Sequence, residues 1–163
     1  MIGNQEEANA IAECDTLYNE CPDGWEYVGA GTFRQVFRAP SGVVYKKEII
    51  PRGNNGAGNR SEYKNLCNIR EIPVAGWRIP DFELYVTEDG MPIIAMEFID
   101  GAFEEEAYCD PYGDGFCECS RSGGECVNVL LEIPAAHWGL TDVHNENVLV
   151  EEDGTRVLID AGN

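Results

Sequence analysis

The sequence predicts an α+β chain in two lobes: five strands with one inserted helix, then a helix, a loop and a closing β-hairpin. Three observations point there. Strand-length apolar runs punctuated by Gly, Pro and Asp turns fill residues 25–98, a single helical pattern interrupts them at Ser61–Ile69, and an apolar strand–turn–strand pair closes the chain. A length of 163 residues suits one domain or a small two-lobed one, and 44% hydrophobic with 25% charged residues is a globular composition.

Residues 5–14 carry Glu6, Glu7, Ala8, Ala10, Ile11 and Ala12 and read as a short helix that Cys21-Pro22-Asp23-Gly24 interrupts. Strands are expected at Trp25–Gly29, Phe33–Ala39 and Val43–Ile49, the last two joined through Pro40-Ser41-Gly42. Arg52–Arg60 is rich in Gly and Asn and reads as a loop. In the helix that follows, Tyr63, Leu66 and Cys67 are spaced for one face. Two more strands, Phe82–Glu88 and Pro92–Phe98, flank the turn Glu88-Asp89-Gly90. An acidic, cysteine-rich loop is expected over 102–126 and a helix at Glu125–His137, which Pro134 should kink or end. Leu140–Asn147 is a loop, and Val148–Glu151 and Arg156–Ile159 pair as a hairpin about Glu152-Asp153-Gly154. The domain reading is an acidic extension at 1–23, a first lobe at 24–98 and a reduced second lobe at 99–163.

Thirty acids against eleven bases give a net charge of −19. Residues 1–27 hold seven acids and no base, and 97–126 hold nine acids and one base. Residues 28–96, with nine bases against seven acids, are the stretch suited to a polyanion such as a nucleoside triphosphate. Such acidity argues against direct binding to nucleic acid or anionic lipid, because both need positive charge on the protein. No apolar run approaches the ~20 residues of a membrane span, and the acidic start is unlike a secretory leader, so a cytoplasmic protein is expected.

Four of the seven cysteines crowd into Cys109, Cys117, Cys119 and Cys126. Four thiolates can hold Zn²⁺ tetrahedrally, but the C-x-C step departs from the usual C-x2-C pair. Free thiols or oxidised pairs are the alternative reading.

Gly29-Ala30-Gly31 lies between two strands, where glycines let backbone amides come close to phosphates. Lys46 follows on the strand after next, and an ammonium there reaches α/β-phosphates or, on the plainer reading, sits exposed on a strand. Sixteen residues on, Glu62 falls on the helix, where it can hold the lysine head or simply be solvated. The strongest block is Asp142-Val143-His144-Asn145-Glu146-Asn147 leading into Val148-Leu149-Val150, then Val157-Leu158-Ile159-Asp160. Asp142 and Asn147 sit five residues apart on a loop that opens into an apolar strand. Asp160 follows another apolar strand, so Asn147 and Asp160 offer oxygens to Mg²⁺.

In this order the parts resemble the protein-kinase-like superfamily from about Gly24 to Asn163. Gly29 and Gly31 match the first glycines of the nucleotide loop, Val36 the valine over the base, Lys46 the phosphate-pairing lysine and Glu62 its helix partner. Met96-Glu97-Phe98-Ile99 looks like the hinge, which would put Glu97 and Ile99 against adenine. Asp142 and Asn147 match the catalytic loop, and Asp160 with Gly162 the metal-binding D-x-G. His144 makes the loop D-x-H-x-x-N, closer to the aminoglycoside and choline kinase branch. Departures are Arg34 at the third loop glycine, Leu140 two residues before Asp142, and Ala161 where Phe is usual. The activation segment and remaining helical lobe, which in relatives bind the acceptor, do not follow Asp160 here.

The resemblance implies an ATP- and Mg²⁺-binding protein that transfers phosphate to a hydroxyl acceptor, with Asp142 and Lys46 as catalytic groups. The competing expectation is a non-enzymatic acidic protein that docks on a basic partner surface, as a nucleic-acid mimic would. The apolar faces of the 125–137 helix and of Val148–Val150 are expected to lack cover. They predict self-association or a protein partner completing the second lobe. Trp138 fits either that surface or the core.

Overall fold

A computed structural model describes residues 1–14, 21–31, 33–49, 56–104, 127–141 and 143–162. The described elements are α1 (Gln5–Glu13), β1 (Glu26–Ala30), β2 (Arg34–Arg38), β3 (Val44–Glu48), α2 (Ala57–Ile69), β4 (Trp77–Arg78), β5 (Phe82–Val86), β6 (Pro92–Met96), β7 (Ala102–Phe103), α3 (Val127–Trp138), a 3-10 turn (Asn145–Asn147), β8 (Val148–Val150) and β9 (Arg156–Leu158). They fall into two units: residues 1–67 with 80–98, and residues 68–79 with 99–161.

The first unit holds the expected five-stranded antiparallel sheet, in the order β1-β2-β3-β6-β5. β3 is its central strand and all five of its residues are buried. Side chains alternate across a strand, so β3 serves two helices at once. Phe37, Tyr45, Ile93 and Ala95 pack with Ala8 and Ile11 of α1. This α1 is the helix expected over 5–14, and Asn4 caps it by accepting the Glu7 N–H at 2.8 Å. Its C-terminal carbonyls have no basic residue in the last turn; Lys47 Nζ reaches over from β3 to the carbonyls of Ala12, at 2.8 Å, and Cys14.

The helix expected at Ser61 begins at Ala57, inside the stretch read as loop. The cause is tertiary. The Glu48 carboxylate accepts the N–H of Gly56 at 2.7 Å and of Asn59 at 2.6 Å, so a strand residue caps the helix start. The buried face of α2 also differs from the Tyr63–Leu66–Cys67 expectation. Asn59, Glu62, Leu66 and Ile69 are buried, whereas Cys67 is exposed. Two polar residues on the inner face misled the hydrophobic pattern.

The second unit carries more sheet than a hairpin. β8 and β9 pair as expected, but β4 joins β9 in parallel and β7 joins β8, giving the order β4-β9-β8-β7. Both added strands are two residues long, too short for a periodic signal. They also change the expectation that Val148–Val150 lacks cover: β8 is an interior strand and Val148 is fully buried. Pro134 does not end α3. It lies on the buried stripe with Leu131 and Trp138, so its missing N–H is offset by the packing of its ring. The helix ends instead at Gly139, whose φ of 67° lets the Leu140 N–H return to the Ala135 carbonyl at 3.1 Å. Trp138 is a core residue: its ring meets Trp77 edge to face at 6.3 Å, and its Nε1–H donates to the Ile72 carbonyl at 2.9 Å. No described helix is long and apolar enough to cross a membrane.

Candidate functional site

Register places four of the expected residues of the first unit on one sheet or against it. Gly29 pairs with Val36, Val36 with Lys46, Lys46 with Ile94, and Ile94 with Leu84. Directly paired residues share a face, so Gly29, Val36, Lys46, Ile94 and Leu84 form one row across all five strands. It lies on the face opposite to the Phe37–Tyr45–Ala95 row that α1 covers. A bulge between Tyr27 and Gly29 makes this possible. Tyr27 pairs with Phe37 on the α1 side, and the extra residue, Val28, moves Gly29 onto the Lys46 side.

Lys46 is not an exposed strand lysine. It is 6% exposed, and its Nζ lies 2.6 Å from Oε1 of Glu62, which is fully buried. β3 and α2 hold the pair between them: Asn59, one turn before Glu62, donates from Nδ2 to the Lys46 carbonyl and to the Pro92 carbonyl, each at 2.9 Å. An ammonium paired this way is held in one fixed direction, where a solvated lysine would sample many rotamers.

The second oxygen of Glu62 is also occupied. Arg34 Nη1 donates to Oε2, so a single buried carboxylate serves two cations. Sequence reasoning registered Arg34 only as a departure at the third loop glycine. Glu48 and Lys47 were missed as well, and their burial between charged neighbours left no periodic signal.

Neither Gly29 nor Gly31 has a positive φ, and among the described residues a Cβ on either would meet no atom within 4 Å. The turn itself is closed by backbone, with Gly31 N–H donating to the Arg34 carbonyl at 2.9 Å. The space beside both backbones is open to a ligand that approaches closely, which is what a phosphate group would require.

The hinge expectation involves both units separately. Glu97 directly follows β6 in the first, where its N–H donates to the Asp81 carbonyl at 2.9 Å and its carboxylate accepts the Asp81 N–H at 3.1 Å. Ile99 begins the longer segment of the second and is 6% exposed. Beside the hinge, the Arg38 guanidinium covers the Phe98 ring at 3.8 Å.

In the second unit the hairpin closes the sequence gap between the two expected metal ligands. Asn147 ends the 3-10 turn, its carbonyl accepts the Ile159 N–H at 2.8 Å, and Val148 pairs with Leu158. Asn147 and Asp160 therefore sit at the same end of the β8–β9 ladder. An amide and a carboxylate are hard oxygen donors, the type Mg²⁺ takes. Asp142 lies outside the described residues, as do Cys109, Cys117, Cys119 and Cys126. Among the described residues no group of three or more His, Cys, Asp or Glu side chains is placed to hold a metal.

No protein-family model and no curated protein sequence matches this chain. Solved structures do. An apo pseudokinase superposes with a TM-score of 0.50 at 12% identity, over 97% of this chain and 61% of its own. WbdD, a bifunctional kinase-methyltransferase, gives 0.48 at 20% identity over 87% of this chain and 32% of its own. A chain of the CAK complex from Chaetomium thermophilum, bound to ATP-gamma-S, gives 0.49 at 17% over 84% and 45%. The chain thus spans from about a third to three fifths of the length of these structures. The superposition on the pseudokinase shows a protein-kinase-like fold.

Proposed function

We propose that the chain binds ATP with Mg²⁺ and transfers phosphate to a hydroxyl acceptor. The observation that carries this reading is the buried Lys46–Glu62 pair at 2.6 Å, in one row with Gly29 and Val36. Burying an ammonium costs several kcal/mol unless it is paired and directed. A fold with no use for that cation would fill the position with an apolar side chain at lower cost.

In this reading Gly29 and Gly31 admit the phosphates to the backbone amides, and Val36 covers the base. Lys46, aimed by Glu62, pairs with the α/β-phosphates. Glu97 and Ile99 line the adenine. Asn147 and Asp160 hold Mg²⁺, which when bound neutralises charge on the phosphate oxygens. Asp142 orients the acceptor hydroxyl or takes its proton. The protein contributes position and charge compensation, the main needs of phosphoryl transfer.

The second reading is an acidic interaction protein that keeps the scaffold without transfer. Two observations favour it: the net charge of −19 and the likeness to a pseudokinase at TM-score 0.50. Thermal shift with Mg·ATP tests the nucleotide binding that the first reading requires. The kinase reading expects a rise of several degrees in wild type that Asp160→Ala and Lys46→Met abolish, because a ligand bound only by the native state raises the melting temperature. Equal indifference of all three proteins to nucleotide would favour the interaction protein.

A further inference from the structure

Arg34 lies at the loop end of β2, pairs in register with Glu48, and donates from Nη1 to Oε2 of Glu62. Its own carbonyl accepts the Gly31 N–H at 2.9 Å. One residue therefore fixes the turn through its backbone and reaches α2 through its side chain. Glu62 is fully buried, so water cannot complete the hydrogen bonding of Oε2. With Arg34 on Oε2, the carboxylate plane is fixed and Oε1 is held 2.6 Å from Lys46 Nζ.

We propose that Arg34 is a positioning residue that ties the start of β2 to α2 through Glu62 and so aims the Lys46 ammonium. This rests on the nucleotide reading only for its consequence at the phosphates; the tie itself is a property of the free protein. Arginine suits the task because its planar fork can meet a carboxylate oxygen with fixed geometry. A glycine at this position would remove the side-chain tie to Glu62 and leave the Glu48 cap to hold α2 against the sheet.

Amide hydrogen exchange on the full chain, without nucleotide, tests the tie. Arg34→Gly is expected to speed exchange about tenfold both in residues 29–36 and in residues 57–67, and Arg34→Lys to restore part of the protection. Arg34→Gly combined with Glu62→Gln should exchange in α2 no faster than Glu62→Gln alone, since Arg34 acts through that carboxylate. Faster exchange confined to 29–36, or additive effects in the double variant, would overturn the proposal. If Arg34→Gly does not fold, the same comparison is made with Arg34→Lys and Arg34→Met. A second measurement reads the consequence: Arg34→Gly should weaken Mg·ATP about tenfold while leaving adenosine unchanged, because only the phosphates meet Lys46. Equal loss for both ligands would overturn the aiming role. A wild type that binds neither ligand but shows the linked exchange refutes the nucleotide reading and leaves the tie supported.

Discussion

Lys46 and Lys47 are neighbours in sequence and serve opposite helices: Lys46 Nζ pairs with Glu62 of α2, and Lys47 Nζ donates to the Ala12 and Cys14 carbonyls that end α1. The alternation continues along β3. Tyr45 shares the α1 side with Lys47, and its hydroxyl donates to Glu7 at 2.6 Å and accepts the Asn4 N–H at 3.1 Å. Glu48 shares the α2 side with Lys46 and caps that helix. The central strand thus fastens both ends of α1 and the start of α2 with polar side chains of buried residues.

The shared carboxylate makes the cost of its loss asymmetric. Lys46→Met leaves Glu62 paired with Arg34, whereas Glu62→Leu leaves Lys46 and Arg34 beside each other without it. Removing one partner of a buried pair costs about 3–5 kcal/mol, and Glu62→Leu should fall in that range with Lys46→Met well below it. Urea midpoints measure both. Equal losses would mean that Arg34 does not compensate for the missing lysine.

Glu48→Ala uncovers the α2 start. Two buried N–H groups, of Gly56 and Asn59, lose a charged acceptor, at about 1–3 kcal/mol each when unsatisfied. Glu48→Gln keeps an acceptor oxygen and should recover part of the loss. Hydrogen exchange at residues 57–60 locates the effect; protection there unchanged in Glu48→Ala would contradict the cap.

These side chains show where the sequence was legible. The sheet strands, α1 and the β8–β9 hairpin follow from local apolar runs and turn residues, the Asn147–Asp160 spacing is a pattern in itself, and in the sequence Lys46 is joined to Glu62 only by the resemblance. The start of α2 did not, because Ala57-Gly58-Asn59-Arg60 has no local helix signal and its cap comes from Glu48, on another element. β4 and β7 have two residues each, and only their partners β9 and β8 make them strands. Arg34 looked like a lost glycine, since its partner is 28 residues away.

Gly56 is required twice over. Its φ is 85°, and a Cβ there would meet Pro92 Cδ at 2.3 Å and Cγ at 2.4 Å, ring atoms that cannot swing aside. The left-handed conformation alone costs a non-glycine residue about 1–2 kcal/mol, and the clash adds to it. Gly56→Ala should therefore destabilise more than Gly42→Ala, where φ is 88° but a Cβ would meet no atom within 4 Å. Thermal melts of the two variants decide it, and equal shifts would show that Pro92 yields.

Tyr45 makes part of the stability depend on alkaline pH. Burial, then its hydrogen bond to Glu7, pushes the phenol above its ordinary value near 10. A group whose proton affinity is higher in the folded state stabilises fully below the unfolded value, and that contribution is lost as pH rises above it. Wild type should exceed Tyr45→Phe by about 1.5–3 kcal/mol near pH 7, the worth of a hydrogen bond to a carboxylate. The gap should stay constant to about pH 9.5 and narrow steadily above pH 10, where the unfolded chain ionises and the folded one does not. Urea denaturation of both proteins from pH 7 to pH 11 measures it. A constant gap over that range would mean the hydroxyl titrates in the folded protein as it does in the unfolded one.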